Sequence, residues 1–242
     1  RNPQELAFDE FGNLFTGDND FDHGDRERLV YVVEGGDSGW RVGYQHPPMG
    51  YDLVPWIADQ LWVPHFSGQA AYTVPPITNL DDGPSGFVYY PGTGLPAKYD
   101  GHFFLCHFKG NIAKSGIRTF TVQPSGAGFS MNDSEQFIWN IEATDVDFGP
   151  DSRLYFSDWG EGWATSGKGR IFAAVETNSI KEPIVAETEK LIAKGFAKTS
   201  QKDLLKHLAH PNMKVRLEAQ FTLAERGEKS IAALAKLAAD KS

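Results

Sequence analysis

An all-β propeller carrying only some of its blades, followed by a small helical segment, is the architecture that this 242-residue sequence predicts. Three observations carry the prediction. Short alternating apolar runs are broken by Gly-Asn, Asp-Gly, Pro-Gly and Pro-Asp turns. One stretch recurs without gaps at an offset of 140 residues. Near Glu187 the Gly-, Pro- and aromatic-rich texture gives way to Ala, Leu, Lys and Glu.

Leu6-Ala7-Phe8, Leu14-Phe15-Thr16, Leu29 to Val33, Gly86 to Tyr90 and His102 to Leu105 read as strands, as do Ile117 to Val122, Leu154 to Ser157 and Arg170 to Val175. No helical period interrupts them, which disfavours a parallel α/β fold. In the repeat, Leu6 to Asp18 lines up with Val146 to Asp158. Each copy is a strand, a polar turn, a second strand and then an Asp. The offset matches about three units of roughly 40–50 residues, the length of a propeller blade. Phe87 to Leu105 supplies an intermediate strand pair. Radial repetition of blades hides sheet edges. Four blades or fewer fit the span, a partial set of the six-bladed type; a β-sandwich with one chance similarity is the alternative.

The expected boundaries are 1–183 for the β region and 184–242 for the helical segment. Ser200-Gln201-Lys202-Asp203 is a capping-box pattern ahead of Leu204, Leu205 and Leu208. Pro211-Asn212 breaks the chain, Val215, Ala219 and Leu223 resume helical spacing, and Gly227 ends the run. Ile231, Leu234 and Leu237 mark a further helix. Helix pairs joined by Pro-Asn, with Val215-Arg216 opening the second, resemble a HEAT repeat. One or two such units bury too little to stand alone.

A net charge of −9 argues against a nucleic-acid partner and against anionic membrane surfaces, and no apolar stretch reaches the length of a membrane span. The lone Cys106 excludes a disulfide framework and a Cys-x-x-Cys-His haem site within this chain. Arg1-Asn2-Pro3 opens directly into a strand pattern, as if the chain had been cut from something larger.

The densest polar cluster runs from Asp18 through Asp20, Phe21 and Asp22 to Asp25. Alternating carboxylates in a Gly-containing loop suit a hard cation, Ca²⁺ above all. The loop is no EF-hand, because Leu29 stands where the bidentate Glu belongs. A solvated acidic turn is the alternative, and His23 reads as a surface residue. Trp40, Trp56, Trp62, Trp159 and Trp163 are candidates for stacking on a sugar, with core packing the expected role. Lys168-Gly169-Arg170 either caps a site with positive charge or begins a strand.

Arg1-Asn2-Pro3-Gln4, Leu6-Ala7-Phe8, Gly12, the acidic loop with Asp25, and Gly35-Gly36-Asp37-Ser38-Gly39-Trp40 stand in an order that resembles the soluble quinoprotein glucose and sorbosone dehydrogenases. Gly83-Pro84-Ser85, Lys109-Gly110, Thr144-Asp145-Val146 and Pro150-Asp151 continue that order, so the resemblance covers roughly residues 1–175. It is closest to the large bacterial propellers of this type that carry HEAT repeats and often a cytochrome c domain. The resemblance implies an oxidoreductase that passes hydride from a sugar or alcohol to pyrroloquinoline quinone, with Ca²⁺, in a periplasmic or secreted setting. A cytochrome c domain or another electron acceptor is the implied partner. Arg1, Asn2 and Lys109 take the cofactor-contacting positions, although a plain strand start and a surface lysine are their ordinary readings. Asp18, Asp20, Phe21, Asp22 and Asp25 fall where the family binds calcium, partly through backbone carbonyls.

Two departures stand out. Glu142 and Thr144 replace the family's arginine pair, so a tricarboxylate cofactor loses two cations and meets an anion. The family's histidine base lies upstream of the Arg-Asn motif, so this chain does not supply it. His46, His65, His102 and His107 read as structural or surface residues. A binding module for carbohydrate or protein, without the cofactor, is therefore the competing expectation.

Overall fold

The computed structural model describes residues 2–20, 26–38, 59–60, 65–71, 73–80, 83–164 and 167–239. The chain divides into two compact units. The first comprises Arg1–Tyr89, Gly101–Asp147 and Tyr155–Phe172, and the second Tyr90–Asp100, Phe148–Leu154 and Ala173–Ser242.

Among the described residues three antiparallel sheets make up the β structure. The first orders β1 (Asn2–Phe8), β2 (Leu14–Asn19), β3 (Arg28–Tyr31) and β4 (Thr78–Asn79) as consecutive neighbours. The second does the same with β5 (Pro84–Tyr89), β6 (His102–His107), β7 (Gly116–Ser125) and β8 (Gly128–Trp139). The third runs β9 (Ala143–Phe148), β10 (Leu154–Asp158), β11 (Arg170–Ala174), with β9 and β11 at its edges. Each sheet is a meander, the simplest topology for antiparallel strands joined by short turns.

The aromatic side chains that pattern these strands form the core of the first unit. Phe15 of β2 is fully buried and meets Phe103 edge-on at 5.2 Å and Phe129 at 5.0 Å, while Phe87 stacks on Phe103 at 5.1 Å. Offset and edge contacts of this kind add about 0.5–1.5 kcal/mol each beyond burial.

The copies of the internal repeat fold alike. In the first turn Asp9 N donates to Asn13 O at 3.0 Å, and in the second Gly149 N donates to Arg153 O at 2.9 Å. The aligned residues Gly12 (φ 85°) and Ser152 (φ 60°) both take the left-handed conformation that closes the turn.

Four α-helices lie in the second unit: α1 (Pro183–Lys194), α2 (Gln201–His207), α3 (Met213–Glu225) and α4 (Glu228–Ala239). Ser200 caps α2 as the sequence implies, accepting from Asp203 N at 3.2 Å while its hydroxyl donates to Asp203 Oδ2 at 2.7 Å. Leu204, Val215, Ala219 and Leu223 are sealed together with Phe196, and Leu191, Leu208 and Leu234 close around them. Asn212 does double duty: Oδ1 caps α3 through Lys214 N at 2.9 Å, and Nδ2 donates to Thr93 Oγ1 at 2.7 Å. The same unit thus includes the Tyr90–Asp100 segment, whose Pro91 carbonyl accepts from Met213 N at 2.7 Å. Among the described residues no helix is long and apolar enough to cross a membrane.

Candidate functional site

The first strands of the three sheets approach one another closely, and small residues permit it. Phe87 N of β5 donates to Glu5 Oε2 of β1 at 2.6 Å. A Cβ on Gly86 would stand 2.4 Å from Asp145 Cα of β9, so only glycine allows β5 and β9 this separation. Because each second strand runs antiparallel to its first, the starts of β1, β5 and β9 and the ends of β2, β6 and β10 collect at one place. There a cavity of about 560 Å³ opens, lined by Gln4, Asn19, Asp20, Ser85, Lys109 and Thr144 among others. A second cavity of about 470 Å³ shares Thr144 and adds Ser157, Asp158, Trp159 and Arg170.

Several residues singled out in the sequence meet here. Lys109, just past β6, lines the larger cavity, and its backbone N–H donates to Ser115 Oγ at 3.0 Å. Asp20, just past β2, lines it too. Asn2 opens β1 with its backbone paired to Asn19, which lines the cavity. Arg1, Phe21, Asp22 and Asp25 lie outside the described residues, as do His23, His46, Trp40, Trp56 and Trp62.

Asp18 faces elsewhere. Its carboxylate is taken by Arg28 of β3, whose Nε donates at 3.1 Å and whose Nη2 makes an ion pair, both side chains being buried. Among the described residues no group of three His, Cys, Asp or Glu is arranged to hold a metal.

The sequence reading missed one contributor and expected a core role for another that it had named as a candidate for stacking. Ser85 Oγ is buried on the cavity wall without a hydrogen-bond partner, a role that the Gly83-Pro84-Ser85 motif alone does not reveal. Trp163 departs from the core role expected of tryptophans here. It is 74% exposed, lines the larger cavity, and rests edge-on against Phe108 at 4.9 Å. A Cβ on Gly110 would lie 2.1 Å from Trp163 Nε1, so the glycine after Lys109 makes room for the indole.

Glu142 is a buried acid just before β9. Solvent does not reach it, and neither carboxylate oxygen has a hydrogen-bond partner of good geometry. Burial pushes its carboxyl above the ordinary range; the Gly162 N–H opposes that shift, and the charges of Asp158 and Glu161 add to it. Its backbone carbonyl accepts from Trp159 N at 2.9 Å, which ties the loop leading to Trp163 onto the start of β9.

No protein-family model matches the chain, and no curated protein matches it. Solved structures do. An oxidoreductase described as a glucose dehydrogenase from Thermus thermophilus is 18% identical, with a TM-score of 0.47 over 72% of this chain and 44% of that one. The soluble aldose sugar dehydrogenase of Escherichia coli, solved in its apo form, is 17% identical with a TM-score of 0.47 over 72% and 44%. An aldose sugar dehydrogenase of Streptomyces coelicolor, solved with PQQ bound, is 19% identical with a TM-score of 0.44 over 72% and 42%. The chain spans less than half the length of these structures. Over that part it is similar in fold to soluble glucose and aldose sugar dehydrogenases.

Proposed function

We propose that the β region is part of a quinoprotein-type sugar or alcohol dehydrogenase and that the 560 Å³ cavity is its cofactor pocket. One observation carries the reading: Lys109, far along the chain from the adjacent Asn19 and Asp20, lines a single cavity with them, and Asn19 is the strand partner of Asn2. The donors present fit an acceptor-rich planar group. The Lys109 ammonium, the Gln4 and Asn19 amides and the unpartnered Ser85 hydroxyl suit quinone and carboxylate oxygens, which a buried hydroxyl without a partner otherwise leaves unsatisfied. Ca²⁺ would be held by Asp20, the described residue of the acidic run that lines the cavity. When bound, the quinone supplies the hydride acceptor. The chain's own residues bind and orient it, and Trp163 on Phe108 narrows access for water at the rim.

A periplasmic or secreted setting, a cytochrome c domain or other electron acceptor as partner, and HEAT-like stacking of the helices belong to the same proposal through the sequence resemblance. The test is calorimetric titration of the chelator-treated chain, first with Ca²⁺ and then with pyrroloquinoline quinone. Both bind, and Lys109→Ala weakens the quinone about tenfold or more, the worth of one charge-assisted hydrogen bond. A chain that binds neither is no quinoprotein.

The exposed Trp163 favours a second reading, a module that binds carbohydrate without a quinone. Its indole offers an apolar face to a pyranose beside the amides of Gln4 and Asn19. Sugar binding that survives without Ca²⁺ or quinone, and is lost in Trp163→Ala, would select it.

A further inference from the structure

We propose that Glu142 is a switchable charge behind the cavity wall: uncharged, it lets an anionic ligand settle beside Lys109, and ionised, it turns such a ligand away and leaves the cavity to uncharged polyhydroxy compounds. The inference rests on the 560 Å³ cavity being the ligand site proposed above.

The geometry comes first. Glu142 stands immediately before β9 and two residues before Thr144, which lines both cavities. The loop that covers it begins with Trp159, held by the Glu142 carbonyl, and ends with Trp163, which lines the same cavity as Lys109. The carboxylate is sealed from water with no hydrogen-bond partner of good geometry on either oxygen, so an ionised state there is poorly compensated and poorly screened. A charge in such a wall is felt over several ångströms in a way a surface carboxylate's is not.

The charges of Asp158, at the end of β10, and of Glu161, on the covering loop, both favour the protonated form of Glu142, and the Gly162 N–H opposes them. Arg170 of β11 is bound to Asp158 at 3.6 Å, and Lys109 stands in the cavity itself. Burial and the two acids together hold the Glu142 proton to higher pH than an ordinary carboxylate would. As pH rises through that raised value the wall gains a negative charge, and affinity for a polyanion falls. An uncharged polyol feels little of this change.

The experiment measures binding of two tricarboxylates to the full chain over a pH series that starts in the ordinary carboxylate range and rises well above it. One is pyrroloquinoline quinone with Ca²⁺ present, and the other is citrate, which has no quinone. Wild-type affinity for both falls about tenfold or more with rising pH, the effect of one poorly screened charge. Glu142→Gln, nearly the same shape, keeps the low-pH affinity throughout. Thr144→Arg places a cation on the same wall without touching the buried carboxyl, and it restores affinity at high pH. Citrate binding that follows this pattern while the quinone binds at no pH sinks the quinoprotein reading and leaves Glu142's role standing. A pH profile that Glu142→Gln does not change, a Thr144→Arg chain that gains nothing at high pH, or binding of neither ligand at any pH overturns the inference.

Discussion

The two copies of the internal repeat fold into hairpins with the same turn, yet the strand that follows gives their final Asp opposite surroundings. In the first copy, antiparallel register sets Asp18 of β2 directly across from Arg28 of β3, and the pair is sealed, with 4% and 5% of the Arg and Asp side chains exposed. In the second, Asp158 of β10 reaches Arg170 of β11 at 3.6 Å, but the Arg170 side chain is 61% exposed. The cause is sheet position. β3 lies between β2 and β4, whereas β11 is the edge of a three-stranded sheet. Asp158 also accepts from Gly160 N at 3.2 Å and so starts the glycine-containing loop that carries Trp159 and Trp163. One sequence pattern thus serves as an internal staple in the first sheet and as the base of a cavity-facing loop in the third.

The largest expected difference between the copies lies in their aligned aromatics. Phe15 is fully buried among Phe103, Phe129 and Tyr31, whereas Tyr155 at the matching position is half-buried. Phe15→Ala should cost about 4 kcal/mol and Tyr155→Ala about 1–2 kcal/mol, read from urea unfolding followed by near-UV circular dichroism. Equal losses would mean that the two hairpins are packed alike. The Asp–Arg pairs come next. Arg28→Ala leaves Asp18 as a buried, uncompensated charge and should cost about 3 kcal/mol, while Arg170→Ala should cost about 0.5 kcal/mol. A costly Arg170→Ala would show the edge pair to be as structural as the sealed one. The turns differ least. Gly12 has open space around its missing Cβ, so Gly12→Ala tests the left-handed backbone alone and should cost about 1 kcal/mol, although Ser152 tolerates the same conformation in the other copy.

These contrasts mark where the sequence is readable. The hairpins were legible because apolar alternation, a polar turn and a turn-closing residue all agree, and Ser200 and Asp203 announced the start of α2 for the same reason. β8 was not legible. Its Ser130-Met131-Asn132-Asp133-Ser134-Glu135 stretch has little intrinsic strand preference, and it is made a strand by pairing with β7 across register shifts near Arg118 and Thr121. In the acidic run, which carboxylate faces the cavity depends on register, and register gives Asp18 to Arg28 and Asp20 to the cavity. Lys109 stood out only through resemblance, since a Lys-Gly pair says nothing of what it lines. Trp163 was hidden for a different reason: glycine-flanked loops permit a tryptophan to be buried or displayed, and its seat is set by Gly110, far away in sequence.

One pair of acids joins the two copies. Glu5 and Asp145, each one residue before its copy of the repeat, occupy matching positions on β1 and β9, and their side chains meet. Burial raises the Glu5 carboxyl to about 7; the Phe87 N–H pulls it down, and Asp145 and Asp147 push it further up. The folded chain therefore holds a proton that the unfolded chain releases near the ordinary carboxylate value. Stability from this site is complete below that ordinary value and is lost as pH rises toward about 7. Glu5→Gln keeps a carbonyl oxygen for Phe87 N and offers an N–H to Asp145, so its unfolding midpoint should fall less than the wild type's between about pH 5 and pH 8. Asp145→Asn should keep a pH dependence but move it to lower pH, because it removes one of the charges that raise Glu5. A wild-type midpoint that stays level over that window, or one that declines identically in Glu5→Gln, would mean that the two matching acids share no proton and that β1 and β9 are joined by packing alone.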